Sequence, residues 1–153
     1  MRRAGLPMME PRLSVVTLGV ANLARARAFY EGLGWRRSSA SQEGIAFYQA
    51  NGLALALFPR ADLAADAGVP DSPTGYPALA LGWNGRGRDE VDAVFRLALS
   101  LGARAVKPPQ PAAWGGYSGY FADPDGHLWE VAHNPFFPLD EHGNLTLPDG
   151  DAP

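Results

Sequence analysis

The stretch Trp114–His133, WGGYSGYFADPDGHLWEVAH, decides the fold because it predicts a β-hairpin. The strands Tyr117–Ala122 and Leu128–His133 flank the turn Asp123–Gly126. Proline presets φ in this turn, and the glycine is free to take a positive φ. The sequence therefore predicts two antiparallel strands that close the patterned part of the chain.

Alternation along this hairpin separates two faces. Ser118, Tyr120 and Glu130 share one face, and large apolar side chains occupy the other. Glu130 is the unusual residue, because it is a carboxylate between Trp129 and Val131 in the middle of a strand.

Two β-α-β-β-β units are predicted from the rest of the pattern. The first unit, residues 13–58, has a strand from Leu13 to Val20 and a helix that Asn22 caps and Gly34 ends. A weak strand at Arg36–Ala40 follows, and then a hairpin whose Asn51-Gly52 turn is of type I′.

The second unit, residues 78–133, repeats this order after a Pro- and Gly-rich connection with one short helix near Asp62–Ala67. It has a strand at Ala78–Trp83, a helix from Asp89 to Leu101 and a strand at Ala103–Val106. A proline-rich loop, Lys107–Ala113, then leads into the opening hairpin. The helix ends match at Leu33-Gly34 and Leu101-Gly102, and on this register Val15 corresponds to Ala78 and Ala56 to Glu130.

The predicted fold class is α+β, with paired curved mixed sheets around a central cavity and helices outside. One domain spans residues 13–134, between a loose tail at 1–12 and an appendage at 135–153 whose last five residues fray. The 153 residues, 46% hydrophobic and 19% charged, suit such a globular domain.

Several classes of protein are excluded by composition. The chain has no cysteine, so it has neither disulfides nor thiolate metal sites. A net charge of −3 without a basic cluster argues against nucleic acid as a partner. No apolar run approaches the roughly 18 residues of a membrane span. We expect a soluble cytoplasmic protein.

The predicted cavity face is lined mainly by small side chains, because the bulky residues of each first strand are assigned to the helix side. Apolar walls with few polar groups are typical of small-molecule sites. The residues assigned to this face are Val15, Thr17, Gly19, Ala46, Tyr48, Ala54, Ala56, Phe58, Ala78, Ala80, Gly82, Ser118, Tyr120 and Glu130.

Three segments resemble the vicinal-oxygen-chelate superfamily, which includes glyoxalase I, extradiol dioxygenases, and fosfomycin- and bleomycin-resistance proteins. They are Leu18–Leu23 (LGVANL), Phe29-Tyr30 with Leu33-Gly34, and Phe121–Val131 (FADPDGHLWEV). The resemblance implies paired βαβββ modules with a U-shaped cavity, and a homodimer.

The resemblance also implies where a metal would be held: at Val15, Ala56, Ala78 and Glu130 in this chain. Only Glu130 offers a donor atom, whereas a divalent first-row ion normally needs three or more. The histidines do not compensate, because His127 adjoins a turn, His133 has the parity of the opposite face and His142 is in the tail. We expect no metal and no cofactor.

The first functional hypothesis is metal-independent binding of a small apolar or aromatic molecule, as in bleomycin-resistance proteins. The predicted ligand contacts are Thr17, Tyr48, Phe58, Trp114, Ser118, Tyr120 and Glu130. The alternative is a glyoxalase-like lyase or isomerase, or a dioxygenase, with Glu130 as base or ligand and Tyr120 beside it.

Structural roles also remain open for these residues. Ser118 and Tyr120 either orient Glu130 for function or only hydrogen-bond to it, and Trp114 is either a lid or a loop anchor. A third hypothesis is a module that acts through protein contacts at Phe136-Phe137.

Overall fold

The computed structural model describes residues 9, 11–72 and 75–147. Most of the predicted N-terminal tail and the predicted frayed end, Asp149–Pro153, lie outside the described residues. The described part has two mixed sheets, of three and four strands, and three helices, which confirms the α+β prediction. In chain order the elements are β1 (Val15–Val20), α1 (Leu23–Gly32), β2 (Ala46–Ala50), β3 (Leu53–Pro59), α2 (Arg60–Ala67), β4 (Leu81–Asn84), α3 (Arg88–Ser100), β5 (Arg104–Pro111), β6 (Tyr117–Ala122) and β7 (Leu128–His133).

The first sheet has the strand order β1-β3-β2, with β1 parallel and β2 antiparallel to β3. Asn22 caps α1 as predicted, because its side-chain oxygen accepts a hydrogen bond from the Arg25 N–H at 3.0 Å. The chain leaves the helix through Gly34, whose φ of 103° suits only glycine.

Two local predictions for this unit are wrong. Arg36–Ala40 is not a strand but a single bridge from Arg37 to Tyr48, because the Ser41 N–H bonds back to the Ser38 carbonyl and turns the chain. The Asn51-Gly52 turn is not type I′, because Asn51 alone takes a positive φ, of 54°.

The second sheet has the order β4-β7-β6-β5, with β4 parallel to β7 and the other neighbours antiparallel. Its first strand begins three residues later than predicted, because Ala78 has a φ of 57°, outside the range of a strand. Leu79, assigned to the helix side from sequence, is instead 56% exposed.

The strand β5 is longer than predicted and includes most of Lys107–Ala113, so the prediction of a loop there is wrong. Register shifts lie between Ala105 and Lys107 and between Lys107 and Gln110. Prolines are tolerated here because β5 is an edge strand with an irregular ladder.

The short helix α2 is confirmed, although it begins two residues earlier than predicted, directly after β3.

One hydrophobic core joins both units on the helix side of the sheets. Tyr30 of α1 is fully buried, and its hydroxyl donates to Asp123 at 2.6 Å and accepts from the Trp129 indole N–H at 3.1 Å. Arg25 also pairs with Asp125, at 2.8 Å. Helix α1 of the first unit is therefore fastened to the closing hairpin of the second.

The appendage after Asn134 also connects the two units. A bridge between Leu139 and Leu145 closes a loop. The Arg86 guanidinium donates to the Asp140 carbonyl, and the Asn51 amide donates to the Gly143 carbonyl. Among the described residues, no helix has the length and apolar character needed to cross a bilayer.

Candidate functional site

The carboxylate of Glu130 lies on the face of the second sheet that points away from α3. Strand register places Tyr120 and Gly82 on either side of it, and Ser118 opposite Ala132 on the same face. The flanking Trp129 and Val131 are buried on the helix side. The structure thus brings Ser118, Tyr120 and Glu130 together as the alternation predicts.

The electrostatics of this face centre on Tyr120. Burial raises the pKa of its phenol, and the neighbouring Glu130 carboxylate raises the pKa further by charge and by hydrogen bonding. The phenol therefore stays protonated at neutral pH, directly opposite the Glu130 carboxylate in the β6–β7 ladder. Tyr76, on the connection between the units, adds a smaller effect of the same sign.

On the first sheet, the equivalent face carries Thr17 opposite Ala56 and Gly19 opposite Phe58. Val15 is 49% exposed and Thr17 is also exposed, whereas Phe58 is half-buried. Helix α2 covers one end of this face, because a β-carbon on Gly19 would lie 3.4 Å from the Leu63 side chain. Ala56, on the same face, is fully buried.

The prediction that Tyr48 faces the cavity is wrong. Tyr48 is fully buried in the core, and its hydroxyl donates to Glu31 of α1 at 2.8 Å. Its partner across the ladder is Leu55, so both point to the helix side, as does Ala46 opposite Leu57. Phe47 is opposite Ala56 and therefore occupies the position on the Thr17 face that was predicted for Tyr48.

Trp114 precedes β6 and is 45% exposed. Its ring lies against Gly116 so closely that a β-carbon there would overlap it. Phe136 from the appendage packs on the neighbouring Gly115, where a β-carbon would be 3.2 Å from the Phe136 ring. These contacts favour the loop-anchor interpretation of Trp114.

Lys107 and Gln110 were missed as candidate site residues. They lie opposite Tyr120 and Ser118 in the β5–β6 register. The prolines of this segment predict a loop, but an edge strand with bulges accepts proline, and β5 is such a strand.

The residues present do not fit a metal site of the kind the resemblance implies. Val15 and Ala56 provide no donor atom. Thr17 pairs with Ala56 in the first unit and Gly82 pairs with Glu130 in the second, so Thr17 corresponds to Gly82. Val15, two residues before Thr17, therefore corresponds to Ala80 and not to Ala78, and alanine provides no donor atom either. In the part of the chain that the structure describes, no three His, Asp or Glu side chains are grouped to hold an ion.

The histidine placements agree with this. His127 bonds the Gly19 carbonyl and His133 the Gly85 carbonyl, each through a ring nitrogen. His142 lies in the appendage beside Glu141, 3.4 Å away.

Two cavities lie away from Glu130. One, of about 100 Å³, lies between α3 and the helix side of the second sheet, and its lining includes Trp83 and Trp129. The other, of about 260 Å³, lies between α2 and the end of β1, with Arg60 and His127 at its walls. Neither is lined by Glu130 or Tyr120, which are both partly exposed on the face that points away from α3, here called the open face.

Comparisons with known proteins agree with this architecture. Residues 12–131 match the family model described as Glyoxalase/Bleomycin resistance protein/Dioxygenase superfamily. The comparison with curated proteins finds no match.

Several solved structures are similar. A glyoxalase-related enzyme from Fulvimarina pelagi is 35% identical, with a TM-score of 0.84, and the match covers 90% of this chain and 99% of that one. A glyoxalase/bleomycin resistance protein/dioxygenase family enzyme from Burkholderia phytofirmans PsJN has a TM-score of 0.72 at 16% identity, over 78% of this chain and 96% of that one. A lactoylglutathione lyase from Agrobacterium tumefaciens has a TM-score of 0.62 at 22% identity, over 82% of this chain and 96% of that one. These last two likenesses concern the fold alone.

With its paired sheets and a family match over most of its length, the chain belongs to the Glyoxalase/Bleomycin resistance protein/Dioxygenase superfamily.

Proposed function

We propose that this protein binds a small, mostly apolar or aromatic molecule on the Glu130 face without using a metal. The observation that carries the proposal is the position of Glu130 directly opposite Tyr120, on a sheet face that also carries Gly82, Ser118 and Ala132, with Lys107 and Gln110 along its β5 edge. Such a face offers apolar contact area with a few polar groups to orient a ligand.

We further propose that a second copy of the chain completes the site. Strands β1 and β4 are both edge strands, and exposed apolar side chains lie along or just before them: Leu13 is 70% exposed and Leu79 56%. Unpaired edges with apolar neighbours are normally covered in natural proteins. Docking the β1 edge of one copy beside the β4 edge of another would turn two open faces into one enclosed cavity. We also propose that residues 13–134 form a single domain and that the protein is cytoplasmic.

The binding test compares Tyr120→Phe and Glu130→Gln with Tyr48→Phe. The first two variants change the open face, whereas Tyr48→Phe removes a hydroxyl that lies on the helix side and donates to Glu31. We expect a panel of aromatic compounds, screened by calorimetry, to give a ligand whose affinity falls by about tenfold in the face variants and is unchanged in Tyr48→Phe. Equal affinity in all four proteins would refute the proposed site.

Assembly and metal content are tested on the same protein. Sedimentation should give a dimer that Val15→Glu, a charge placed on the β1 edge, converts to monomer. Elemental analysis of tag-free protein should find no stoichiometric metal. A tightly held ion in each chain would contradict the metal-independent proposal.

A second candidate is an enzyme in which Glu130 acts as a general base. It is favoured by the 35% identity to a protein described as a glyoxalase-related enzyme and by the carboxylate on the open face. The carboxylate would take a proton from the carbon beside a substrate carbonyl and return it to the neighbouring carbon, which is an isomerisation without redox change. Glu130→Gln should then abolish turnover while leaving substrate binding measurable. Turnover that survives this substitution would remove the candidate.

A further inference from the structure

The cavity on the helix side of the second sheet has a distinct chemical character. Three of the chain's four tryptophans line it: Trp35 after α1, Trp83 on β4 and Trp129 on β7. Val94 and Leu97 of α3 form the opposite wall. Every described residue in the lining is apolar or aromatic, and none carries a charge.

The aromatic rings that line this cavity also contact one another. Trp35 meets Trp129 edge to face, with 5.9 Å between ring centroids and 79° between their planes. Phe121 stacks on Trp129 at 6.3 Å and 10°. Aromatic rings favour both of these contacts, so a further ring that enters the cavity has edges and faces available to it.

The cavity is small and open on one side. Its volume is about 100 Å³. An engineered apolar cavity of about 150 Å³ stays dry and binds benzene, so this space suits one ring with an edge left in the mouth. Its rim includes Leu97, which is 40% exposed, whereas Val94 is half-buried. A peptide segment or a second copy of the chain is far too large for it.

We infer that this cavity, the tryptophan pocket, binds a single uncharged aromatic ring or a hydrocarbon of similar size. It is separate from the proposed site at Glu130, because alternation along β7 directs Trp129 and Val131 into the pocket and Glu130 to the opposite face. A single chain contains all of its walls, so occupancy does not depend on dimer formation.

Fluorobenzene is the probe, followed by ¹⁹F NMR line broadening against protein concentration. Val94→Phe fills the pocket from α3, and Leu97→Trp fills it from the exposed rim, where a larger side chain is tolerated. Val106→Phe is the matched control, because Val106 is 42% exposed on β5 and is not part of the lining. Glu130→Gln tests independence from the open face. Far-UV circular dichroism checks that each variant is folded.

We expect saturable binding to the wild type, weakened by about tenfold or more in the two filling variants and unchanged in Val106→Phe and Glu130→Gln. If Val94→Phe fails to fold, Leu97→Trp decides. The inference is overturned if the wild type shows no saturable binding, or if Leu97→Trp binds as well as the wild type. If Glu130→Gln is the only variant that loses fluorobenzene binding, the ring binds at the open face and the inference is also overturned. The proposed function can fail without affecting these results.

Discussion

Replacing Tyr30 with phenylalanine tests the hydrogen bonds that fasten the two units together. The Tyr30 hydroxyl donates to the Asp123 carboxylate at 2.6 Å and accepts from the Trp129 indole at 3.1 Å, in a region closed to solvent. The substitution removes one oxygen and leaves a carboxylate oxygen and an indole N–H without this partner. Asp123 keeps its turn contacts, because its other oxygen accepts from the backbone N–H groups of Asp125 and His127.

The expected loss is about 3 kcal/mol, since a hydrogen bond to a charged group contributes about 1.5–3 kcal/mol and an unpaired buried donor costs about 1–3 kcal/mol. For a chain of this size, that corresponds to a fall in Tm of about 6–12 °C. Urea unfolding, followed by circular dichroism, should show a lower midpoint with an unchanged slope.

Tyr117→Phe is the matched control. Its hydroxyl also donates to a carboxylate, Asp92, at 2.6 Å, but this pair is near the surface, where water replaces the lost group. Its effect should stay within about 0.5 kcal/mol. If Tyr30→Phe is no more destabilising than Tyr117→Phe, the buried network does not hold the units together and the reasoning is refuted.

Three further predictions concern the charged groups and the loop before β6. Burial alone would raise the pKa of Glu31, but hydrogen bonds from Tyr48 and Arg27 outweigh it and lower the pKa. Because the pKa of Glu31 is lower in the folded than in the unfolded protein, its ionised carboxylate stabilises the fold at any pH above the unfolded pKa, about 4.3. This stabilisation is lost as the pH falls through the folded pKa. The difference in unfolding free energy between wild type and Glu31→Gln should therefore be constant near neutrality and shrink below about pH 4; a difference that grows in acid would contradict this. Glu130→Gln should lower the pKa of Tyr120 towards its ordinary value without reaching it, because burial, the largest cause of the shift, remains; ultraviolet titration of the phenolate checks this, and an unchanged pKa would separate the two groups. Gly116→Ala should displace the Trp114 ring and also crowd the His133 carbonyl, 2.6 Å from the added β-carbon, so it should shift the tryptophan fluorescence and lower Tm. Gly44→Ala, where a β-carbon meets nothing within 4 Å, should do neither; equal spectra would show that Trp114 does not pack on Gly116.

The fold was predictable because its signals are local and occur twice. Leu33-Gly34 and Leu101-Gly102 end the two long helices, and the glycines take nearly equal φ angles of 103° and 106°. A helix end of this kind needs a positive φ, which glycine adopts without the steric clash that a β-carbon causes. The glycine therefore marks the helix end in the sequence alone. The family resemblance rests on the same segments, which is why the chain's class could be predicted before its packing.

Two errors arose where contacts outside a segment decide its structure. Arg36–Ala40 has no β-branched or aromatic residue to support a strand, and the backbone bond from Ser41 to Ser38 turns the chain after one bridge. The prolines of Lys107–Ala113 indicate a loop locally, yet pairing with β6 draws most of the segment into the sheet. Neither outcome depends on the segment's own residues alone.

The placement of Tyr48 was a different kind of error, because the sequence contained enough information to avoid it. In a hairpin with a two-residue loop at Asn51-Gly52, Ala50 must pair with Leu53, and Tyr48 then pairs with Leu55. Paired residues share a face, so Tyr48 belongs with the bulky leucines and Phe47 with Ala56.

The same reasoning supports the assignment at the second hairpin. There the Asp123–His127 turn, closed by a hydrogen bond from the Asp123 N–H to the His127 carbonyl, pairs Ala122 with Leu128 and therefore Tyr120 with Glu130. A one-residue shift in that turn would turn Glu130 into the core and turn Trp129 and Val131 out of it. An unpaired carboxylate in the core is costly. The location of the candidate site therefore depends on the length of the turn as much as on Glu130 itself. Inserting one glycine into the turn should consequently abolish ligand binding at the Glu130 face or unfold the protein, and an insertion variant that folds and binds normally would show that register does not define the site.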